Sequence, residues 1–330
     1  MARKGQNPAK GILTAAQPEP VTVAVVTYIP FLSGYYEESL AVLDLCLKSI
    51  LENTRIPFDL MVFDNHSCEE AVRYLEDLHA RGDIQFLVLS NKNVGKVGAW
   101  NFIFGAAPGE MIAYCDSDVY FLPNWLSKHL ELFDAFPNVG TVTGLPRRGL
   151  RKKSAATLKL IQAMDMIELK RGKFIPDAWL LDHAVSLGKL GEIDDDLACD
   201  DTLIRSQGVD AYVTASHFQF VLRSETARKL TPLNYSRPMG PDLVQLDAAM
   251  DEMGLLRLAT AERLVLHIGN TLEPTIEQRL GSQWTAELST AKEAPQGDGF
   301  LAEISEWKFI KRILLAIYNR IFKLYFSRTN

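Results

Sequence analysis

The sequence lacks the features that mark secreted and membrane-spanning proteins. Its four cysteines (Cys46, Cys68, Cys115 and Cys199) lie far apart and form no Cys-x-x-Cys pair, so we expect neither a zinc site nor a disulfide framework. No uninterrupted apolar run reaches the roughly eighteen residues that a spanning helix needs. Residues 1–20 hold no long apolar stretch either. We therefore expect no signal peptide and a protein of the reducing cytoplasm.

An excess of basic residues is also absent. The 330 residues include 35 Lys and Arg against 41 Asp and Glu, a net charge of −6, which argues against a general nucleic-acid-binding protein. The 47% hydrophobic content is that of an ordinary globular chain. The charge is uneven, because residues 307–330 hold six basic side chains and no acidic one.

Those terminal residues have the pattern of a basic amphipathic helix. Over residues 305–330 we expect apolar and aromatic side chains on one broad face and Lys or Arg on the opposite face. Such a helix favours an anionic membrane surface, with docking on the folded domain or on a second subunit as the alternative. We expect residues 276–304 to be a linker and the protein to be peripheral on the inner face of the cell membrane.

Short apolar runs alternate with helical patterns along the first half of the chain. This β-α-β-α-β-α-β order predicts an α/β fold with a mixed, mainly parallel sheet flanked by helices, whose ligands bind outside the carboxyl ends of the strands. The expected strands are Val21–Thr27, Asp59–Phe63, Ile84–Leu89, Met111–Cys115 and Val139–Thr143, and the expected helices are Leu40–Leu51, Ala71–Ala80, Val97–Ala106 and Pro123–Phe136.

The step Asp116-Ser117-Asp118 is the most informative feature of the chain. It follows a buried strand, and side chains two residues apart on a strand point to the same side, where two carboxylates can hold a hard divalent cation. That cation can in turn bind a diphosphate. The alternative is a solvated turn.

Two charged segments follow in the second half. Residues 147–153 hold five basic side chains, and this run predicts either a solvated face or contact with an anionic acceptor or phosphate. Residues 192–201 hold six acidic side chains without the spacing of a calcium-binding EF-hand loop, which favours a solvated loop.

From Val21 to about Asn270 the chain resembles the nucleotide-sugar-dependent glycosyltransferases of the GT-A (Rossmann-like) fold, especially the inverting family 2 group. The resemblance depends on short motifs that occur in the family's order, several of them at predicted strand ends. They are Val-Val-Thr-Tyr at 25–28, Val62-Phe63-Asp64-Asn65-His66-Ser67, Asn93-x-Gly95 with Ala99 and Asn101, the Asp-x-Asp step (DXD motif) with Pro123-x-Trp125-Leu126, Gly140–Gly144 and His217–Leu230.

The resemblance implies a role for each matching residue. A divalent cation, Mn²⁺ or Mg²⁺, would be held by Asp116, Asp118 and His267, although His267 has a packed strand-end histidine as its alternative interpretation. The residues that would bind the nucleotide sugar, a UDP- or GDP-sugar, are Thr27, Tyr28, Asp64, Asn93, Gly95, Asn101 and Asp116.

The second half departs from the family pattern at the general base. Gly254 and His267 stand at the family's spacing, but the expected Glu-Asp pair is replaced by Pro241-Asp242-Leu243. Asp242 is the first candidate for the base and Asp247 the second. Asp242 is also a plausible helix N-cap, and the rival carboxylates lie at 194–196 and 200–201. Without a base here, a retaining transferase is the alternative.

The resemblance implies a metal-dependent, inverting, hexosyltransferase-type enzyme whose hydroxyl acceptor is a sugar or a lipid-linked molecule, as in envelope polysaccharide or glycolipid synthesis. The alternatives are a non-catalytic sugar-nucleotide-binding scaffold of the same fold and a sugar nucleotidyltransferase. The latter is expected to carry a basic, Gly-rich loop after the first strand, where this chain has Tyr28–Gly34 without a basic residue. We expect a disordered tail over 1–20 and a catalytic domain over 21–275, divided into nucleotide-binding (21–145) and acceptor (146–275) halves.

Overall fold

The computed structural model describes residues 5–12, 14–148, 151–214, 216–236 and 243–281, with the side chains of 151–153 left aside. Asp242, the first candidate for the general base, lies outside the described residues. So do most of the expected linker and the whole expected terminal helix, 305–330.

The described residues form a ten-stranded mixed sheet with the strand order β3-β2-β1-β4-β10-β6-β11-β9-β8-β7, and β12 and β5 form a small second sheet. The strands are β1 (Val21–Thr27), β2 (Phe58–Asp64), β3 (Phe86–Leu89), β4 (Met111–Asp116), β5 (Val119–Phe121), β6 (Val139–Thr143), β7 (Glu168–Gly172), β8 (Asp201–Ser206), β9 (Val209–Val213), β10 (Gln219–Arg223), β11 (Leu256–Thr260) and β12 (Val265–His267).

Ten α-helices accompany these strands in the described part of the chain. They are α1 (Ser39–Asn53), α2 (Glu69–Arg81), α3 (Gly95–Ala106), α4 (Trp125–Ala135), α5 (Arg151–Gln162), α6 (Asp177–Ser186), α7 (Asp194–Ala198), α8 (Ser224–Leu230), α9 (Val244–Glu252) and α10 (Ile276–Leu280).

The predicted first half is confirmed. Strands β3, β2, β1 and β4 pair in parallel, with Thr27 opposite Asp64 and Val26 opposite Asp116. This register brings the polar strand ends to one edge of the sheet, as expected of a doubly covered α/β sheet. The antiparallel strand β10 then inserts between β4 and β6.

Alternating side chains of β1 pack into two separate cores. Val23 and Val25 join a cluster on one face with Leu43 and Leu47 of α1, while Ala24 joins a cluster on the other face with Trp100 of α3. Both faces are therefore buried, and this explains why β1 is a nearly continuous apolar run rather than an alternating one.

The small second sheet positions His267. In the antiparallel pair of β12 and β5, His267 stands opposite Val119, one residue past Asp118. The Ile268 amide donates to the Asp118 carbonyl over 2.6 Å, and the Arg279 guanidinium donates to the His267 carbonyl over 2.9 Å. Asp118 and His267, which are separated by nearly half of the chain in sequence, are therefore held side by side.

Each of the two charged segments contributes a buried residue, although a solvated face or an anion contact was expected for the first and a solvated loop for the second. Arg148 and Asp201 are both buried, and Arg148 Nε donates to Asp201 Oδ1 over 2.7 Å. Asp201 Oδ2 also accepts from the amides of Phe174 and Ile175, at 2.6 and 2.7 Å. The expectation of a solvated acidic loop is therefore wrong at Asp201, because this carboxylate opens β8 and satisfies a buried arginine.

Short helices lie near both expected boundaries of the catalytic domain. The tail predicted to be disordered contains a short 3-10 helix at Pro8–Gly11. The predicted linker begins with α10, whose Arg279 is buried against Asp182, and the first compact unit ends at Arg279. Among the described residues, no helix is both long and apolar enough to cross a bilayer.

Candidate active site

A cleft of about 490 Å³ opens at the carboxyl ends of β1, β2 and β4. Its lining combines an aromatic loop after β1, polar residues after β2 and β3, the Asp-Ser-Asp step and the segment after β12. The lining residues are Val26, Tyr28, Ile29, Tyr35, Tyr36, Ser39, Val42, Asn65, Asn93, Lys96, Asp116, Ser117, Asp118, Gly269 and Asn270.

Thr27 and Asp64 lie beside this cleft with unused hydrogen-bonding capacity. Both are buried, and Thr27 Oγ1 and Asp64 Oδ1 have no hydrogen-bond partner among the described residues. The other Asp64 oxygen accepts from the Ser67 amide over 3.1 Å. A buried polar atom without a partner costs free energy unless a ligand or water satisfies it. The pair therefore fits a polar ligand at this end of the cleft.

Asn93 and Gly95 shape the loop that enters α3. Asn93 Oδ1 accepts from the Gly95 amide at 2.8 Å and from Asn65 Nδ2 at 3.0 Å, and Asn65 Oδ1 accepts from the Val94 amide at 2.8 Å. Gly95 has a φ of +71°, a conformation that a side chain disfavours. The loop is held in place by side chains, so its backbone can lie close to a ligand.

Asn101 has a different position from the other candidates. Its Nδ2 donates to the Leu233 carbonyl at 2.8 Å, and its Oδ1 accepts from the Leu233 amide at 2.7 Å. Both ends of the amide are thus used to fix the segment after α8. Asn101 is not among the residues that line the cleft.

Asp116 is held on both carboxylate oxygens. Lys96 Nζ donates to Oδ2 over 2.6 Å and the Tyr114 hydroxyl donates to Oδ1 over 2.6 Å. Burial raises the pKa of Asp116, the Lys96 charge opposes that effect and the Asp118 charge adds to it. Lys96 also lies over the rings of Trp100 and Tyr114, at 5.7 and 5.6 Å. The Lys96 ammonium group therefore places a positive charge in the cleft in the absence of a ligand.

Asp118 faces His267, whose tautomer follows from its partners. The Ser186 hydroxyl donates to the His183 carbonyl at 2.8 Å, so its oxygen accepts at 3.0 Å from His267 Nδ1. In a neutral imidazole, Nε2 then carries a lone pair, and it lies 3.2 Å from Asp118 Oδ2. Two acceptors face each other, and this arrangement needs a proton or a metal cation between them.

The lowered pKa of Asp118 belongs to the case in which a proton lies between the two atoms. Burial alone would raise this pKa, but the charge and hydrogen bond of a protonated His267, together with the Lys96 charge, lower it below its ordinary value. The carboxylate is therefore ionised at neutral pH and available as a ligand. Its other oxygen, Oδ1, is buried without a hydrogen-bond partner among the described residues.

These residues fit a divalent cation that receives its remaining ligands from a substrate. Two ligands at right angles, each about 2.1 Å from a cation, lie about 3.0 Å apart, close to the 3.2 Å between Asp118 Oδ2 and His267 Nε2. The part of the chain described by the structure has no cluster of three or more His, Cys, Asp or Glu side chains arranged to hold a metal. In such a site Asp118 and His267 would be the two protein ligands, while both oxygens of Asp116 already accept hydrogen bonds from Lys96 and Tyr114.

The segment after His267 closes the rim of the cleft. Gly269 has a φ of +89°, and a Cβ there would lie 2.9 Å from the Ser186 carbonyl oxygen, so a glycine is needed for the chain to pass α6. The next residue, Asn270, donates from Nδ2 to the Tyr35 carbonyl at 3.0 Å. This contact joins the rim to the aromatic loop, in which the rings of Tyr35 and Tyr36 lie 5.0 Å apart.

The carboxylates considered for the general base have unequal surroundings. Asp247 Oδ1 lies 2.9 Å from Arg257 Nη1 and 3.1 Å from His217 Nε2. Burial raises the pKa of Asp247, but His217 and Arg257 more than offset this and lower it, which makes it a weak proton acceptor. Asp201 is bound by Arg148. Asp196, in contrast, lines a cavity next to α6.

Lys96 and Ser186 are site residues that the sequence reasoning did not select. Lys96 follows Gly95 directly at the start of α3, a helix end that attracts anions, and that position was the available signal. Nothing in the local sequence marks Ser186, since its contact with His267 spans 81 positions.

If the donor is the nucleoside-diphosphate sugar that the resemblance implies, replacing Lys96 by Met is expected to raise its KM about tenfold or more, because a charge-assisted contact to a ligand contributes roughly 1.5–3 kcal/mol. Steady-state kinetics over a donor series measure this effect. The exposed Lys92, which lies on the loop before α3, supplies the control variant Lys92→Met. An unchanged donor KM in Lys96→Met would show that Lys96 serves only to pair with Asp116.

Comparison with known families gives this site a context. Residues 34–184 match the model of the family described as glycosyl transferase family 2. Over 96 residues the chain is 26% identical to an uncharacterized glycosyltransferase of Nostoc sp., and this alignment covers 29% of the chain and 30% of that relative. The match therefore spans less than a third of either protein.

Solved structures resemble the fold at low identity. GalNAc-T7 with UDP, GalNAc and Mn²⁺ is 12% identical with a TM-score of 0.48, covering 76% of this chain and 43% of its own. The mannosyltransferase PcManGT from Pyrobaculum calidifontis, in complex with GDP-Man and Mn²⁺, is 18% identical with a TM-score of 0.42, covering 79% and 62%. The family match, the mixed sheet and the strand-end motifs agree. Residues 34–184 of the chain are therefore similar to a glycosyl transferase family 2 domain.

Proposed function

We propose that this protein transfers a sugar from a nucleoside-diphosphate sugar to a hydroxyl group, with inversion at the anomeric carbon and with the help of a divalent cation. The observation that carries this proposal is the pair of Asp118 and His267, two acceptor atoms 3.2 Å apart at a cleft that also contains Lys96.

Residues in and beside the cleft bind the donor in three parts. Thr27 and Asp64, beside the cleft, bind the base with the oxygens that have no partner among the described residues, and the loop at Asn93 and Gly95 passes close to the nucleotide. Tyr28 forms a wall of the same region. Lys96 and Asp118 stand where the diphosphate would lie, so that the negative charge of the leaving group meets a cation and a metal ligand.

A divalent cation bound by Asp118 and His267 would supply a Lewis acid for the charge developing on the departing nucleoside diphosphate. The residues of the chain prepare its site. Ser186 fixes the His267 tautomer with Nε2 toward the cleft, and Lys96 holds Asp116 beside Asp118. Among the cations, Mn²⁺ is the first to test, because GalNAc-T7 and PcManGT were both solved with it.

In an inverting transfer, the acceptor oxygen forms its bond to the anomeric carbon as the bond from that carbon to the diphosphate oxygen breaks. The bonding electron pair leaves with the nucleoside diphosphate, and a carboxylate takes the acceptor proton. We propose Asp242 for this role, since the paired Asp247 is a weak acceptor. Asp242 falls outside the described residues, so the assignment depends on the sequence.

The test is thermal stabilisation by UDP-, GDP- and dTDP-sugars, each with and without Mn²⁺. We expect one nucleotide to raise the melting temperature in a metal-dependent manner, because a ligand that binds only the folded state stabilises it by mass action. Slow hydrolysis of the same donor then separates an enzyme from a scaffold. No shift with any nucleotide would contradict the proposal.

We also propose that residues 305–330 hold the enzyme at an anionic membrane surface, as their basic amphipathic pattern suggests. Removing these residues is expected to abolish co-sedimentation with vesicles that contain phosphatidylglycerol, while donor binding is kept. A truncated protein that still sediments with such vesicles, or a full chain that ignores them, would refute the membrane proposal.

A further inference from the structure

A second cavity, of about 200 Å³, lies in the acceptor half of the fold between α6 and α7. Since water occupies about 30 Å³ per molecule in the liquid, the cavity has room for about six waters or one small polar molecule. Leu, Ala and Ile side chains form its apolar wall, and its polar groups are Arg147, His183, Lys189, Glu192 and Asp196.

Arg147 supplies this cavity with unused donors. Its closest carboxylate oxygen, Asp196 Oδ2, lies 3.8 Å from Nη2, too far for a hydrogen bond. Only 27% of its side chain is exposed, and burial lowers the pKa of Arg147 while Asp196 partly offsets the effect. The adjacent Arg148, by contrast, is saturated by Asp201, Asp177 and Ile175. A planar guanidinium with free donors is suited to a phosphate or carboxylate group.

The remaining polar groups suit hydroxyls rather than a second anion. Glu192 and Asp196 carry acceptor oxygens, and His183 Nδ1 is buried without a hydrogen-bond partner among the described residues. His183 is itself only 6% exposed. Carboxylates accept hydrogen bonds from hydroxyl groups, and an imidazole nitrogen accepts or donates one according to its tautomer. The cavity thus offers cations for an acid group and acceptors for the hydroxyls of a polyol.

The cavity adjoins the metal site through one side chain. The His183 ring lies 5.6 Å from the ring of His267 and stacks on Phe218 at 5.5 Å. His267 Nε2 in turn faces Asp118. A molecule in contact with His183 is therefore separated from the proposed cation site by the His267 ring.

We infer that this cavity binds the acceptor and that the acceptor is an anionic sugar or sugar-like polyol, whose phosphate or carboxylate is bound by Arg147 and Lys189 and whose hydroxyls contact Glu192 and Asp196. The inference rests on the proposed function, which requires an acceptor next to the donor cleft. It adds the chemical class of that acceptor and the residues that select it.

The experiment titrates the full-length protein with glucose 6-phosphate, glucuronate and glucose, in the presence of the stabilising nucleotide and Mn²⁺, by isothermal calorimetry. The variants are Arg147→Gln and Lys189→Gln, each checked for an unchanged circular dichroism spectrum. Lys128→Gln is the matched control, since Lys128 lines another mixed-charge surface cavity of about 220 Å³.

We expect at least one of the two anionic sugars to bind and neutral glucose to bind at least tenfold more weakly. Each cavity variant is expected to weaken the anionic sugar about 10- to 100-fold, as the loss of a charged hydrogen bond does, and the control is expected to bind as the wild type does. Binding of glucose as strong as that of the anionic sugars, binding unaffected by both cavity variants, or no binding of any of the three would overturn the inference. A metal-dependent donor shift in the same wild-type protein would leave the transferase proposal intact in those cases.

Discussion

Replacing Asp118 by Asn is expected to lower sugar transfer about 10³-fold or more while leaving the protein as stable as the wild type or more so. The amide keeps the shape of the carboxylate but loses the charge that holds a cation, and loss of metal assistance removes several kcal/mol of transition-state stabilisation. Stability is retained because the new Nδ2–H can donate to the His267 Nε2 lone pair, where wild type has two facing acceptors 3.2 Å apart. Turnover with the nucleotide sugar and Mn²⁺, measured beside the melting temperature, tests both parts.

The two readouts make this prediction specific. A destabilised Asp118→Asn protein would mean that His267 is protonated and that the pair is an ordinary ion pair. Full activity in a stable variant would exclude Asp118 as a metal ligand. Asp83→Asn is the control, because Asp83 lies in the turn after α2, where it pairs with Arg81 rather than with a residue of the cleft; it should leave turnover and the metal-dependent donor shift unchanged.

The first half of the fold was predictable because its information is local. Apolar runs such as Val21–Thr27 are buried on both faces, and parallel pairing brings every strand end to the same edge. Asp64 and Asp116 therefore stand at the cleft once the strands are recognised. The family motifs agreed with this pattern, and the resemblance added the expectation that these strand ends bind a nucleotide sugar.

Contacts between distant segments did not follow from the local sequence pattern. Only the family resemblance placed His267 with Asp118, a contact that the pairing of β12 with β5 makes, and nothing in the sequence indicated that Ser186 of α6 sets the His267 tautomer. The charge of Lys96 reaches Asp116 from the start of a helix. The residue types alone do not indicate such contacts, because Lys, Ser and His side chains are also common on protein surfaces, and only the tertiary fold brings these ones together.

The acidic stretch at 192–201 shows the same limit at two neighbouring aspartates. Asp200 is exposed, whereas Asp201 is 3% exposed and opens β8. Composition alone predicts that both residues lie in the same solvated loop. Only the position of Arg148, which precedes α5, decides that Asp201 becomes a buried counter-ion.

This difference leads to the second large prediction: Asp201→Asn should destabilise the fold by about 3–5 kcal/mol, the usual cost of removing one partner of a buried ion pair. Arg148 and Asp201 have fully buried side chains, and Asp201 Oδ2 also accepts from the amides of Phe174 and Ile175. An amide at this position removes the buried counter-ion of Arg148, leaves only the exposed Asp177 to balance the guanidinium charge, and loses acceptor capacity for at least one of these donors. Urea unfolding of wild type and variant measures the difference in unfolding free energy.

Asp200→Asn is the matched control, because it makes the same change one residue earlier at an exposed position, where substitutions usually alter stability by less than about 0.5 kcal/mol. The two variants together also test the alternative that the general base lies in the acidic stretch at 192–201. If Asp201 is structural, any loss of transfer in Asp201→Asn should follow the fraction of unfolded protein and disappear under conditions that restore folding. An Asp201→Asn protein with wild-type stability and no transfer activity would instead move the proton acceptor to β8, whose first residue follows closely in sequence after Asp196 of the cavity proposed for the anionic acceptor.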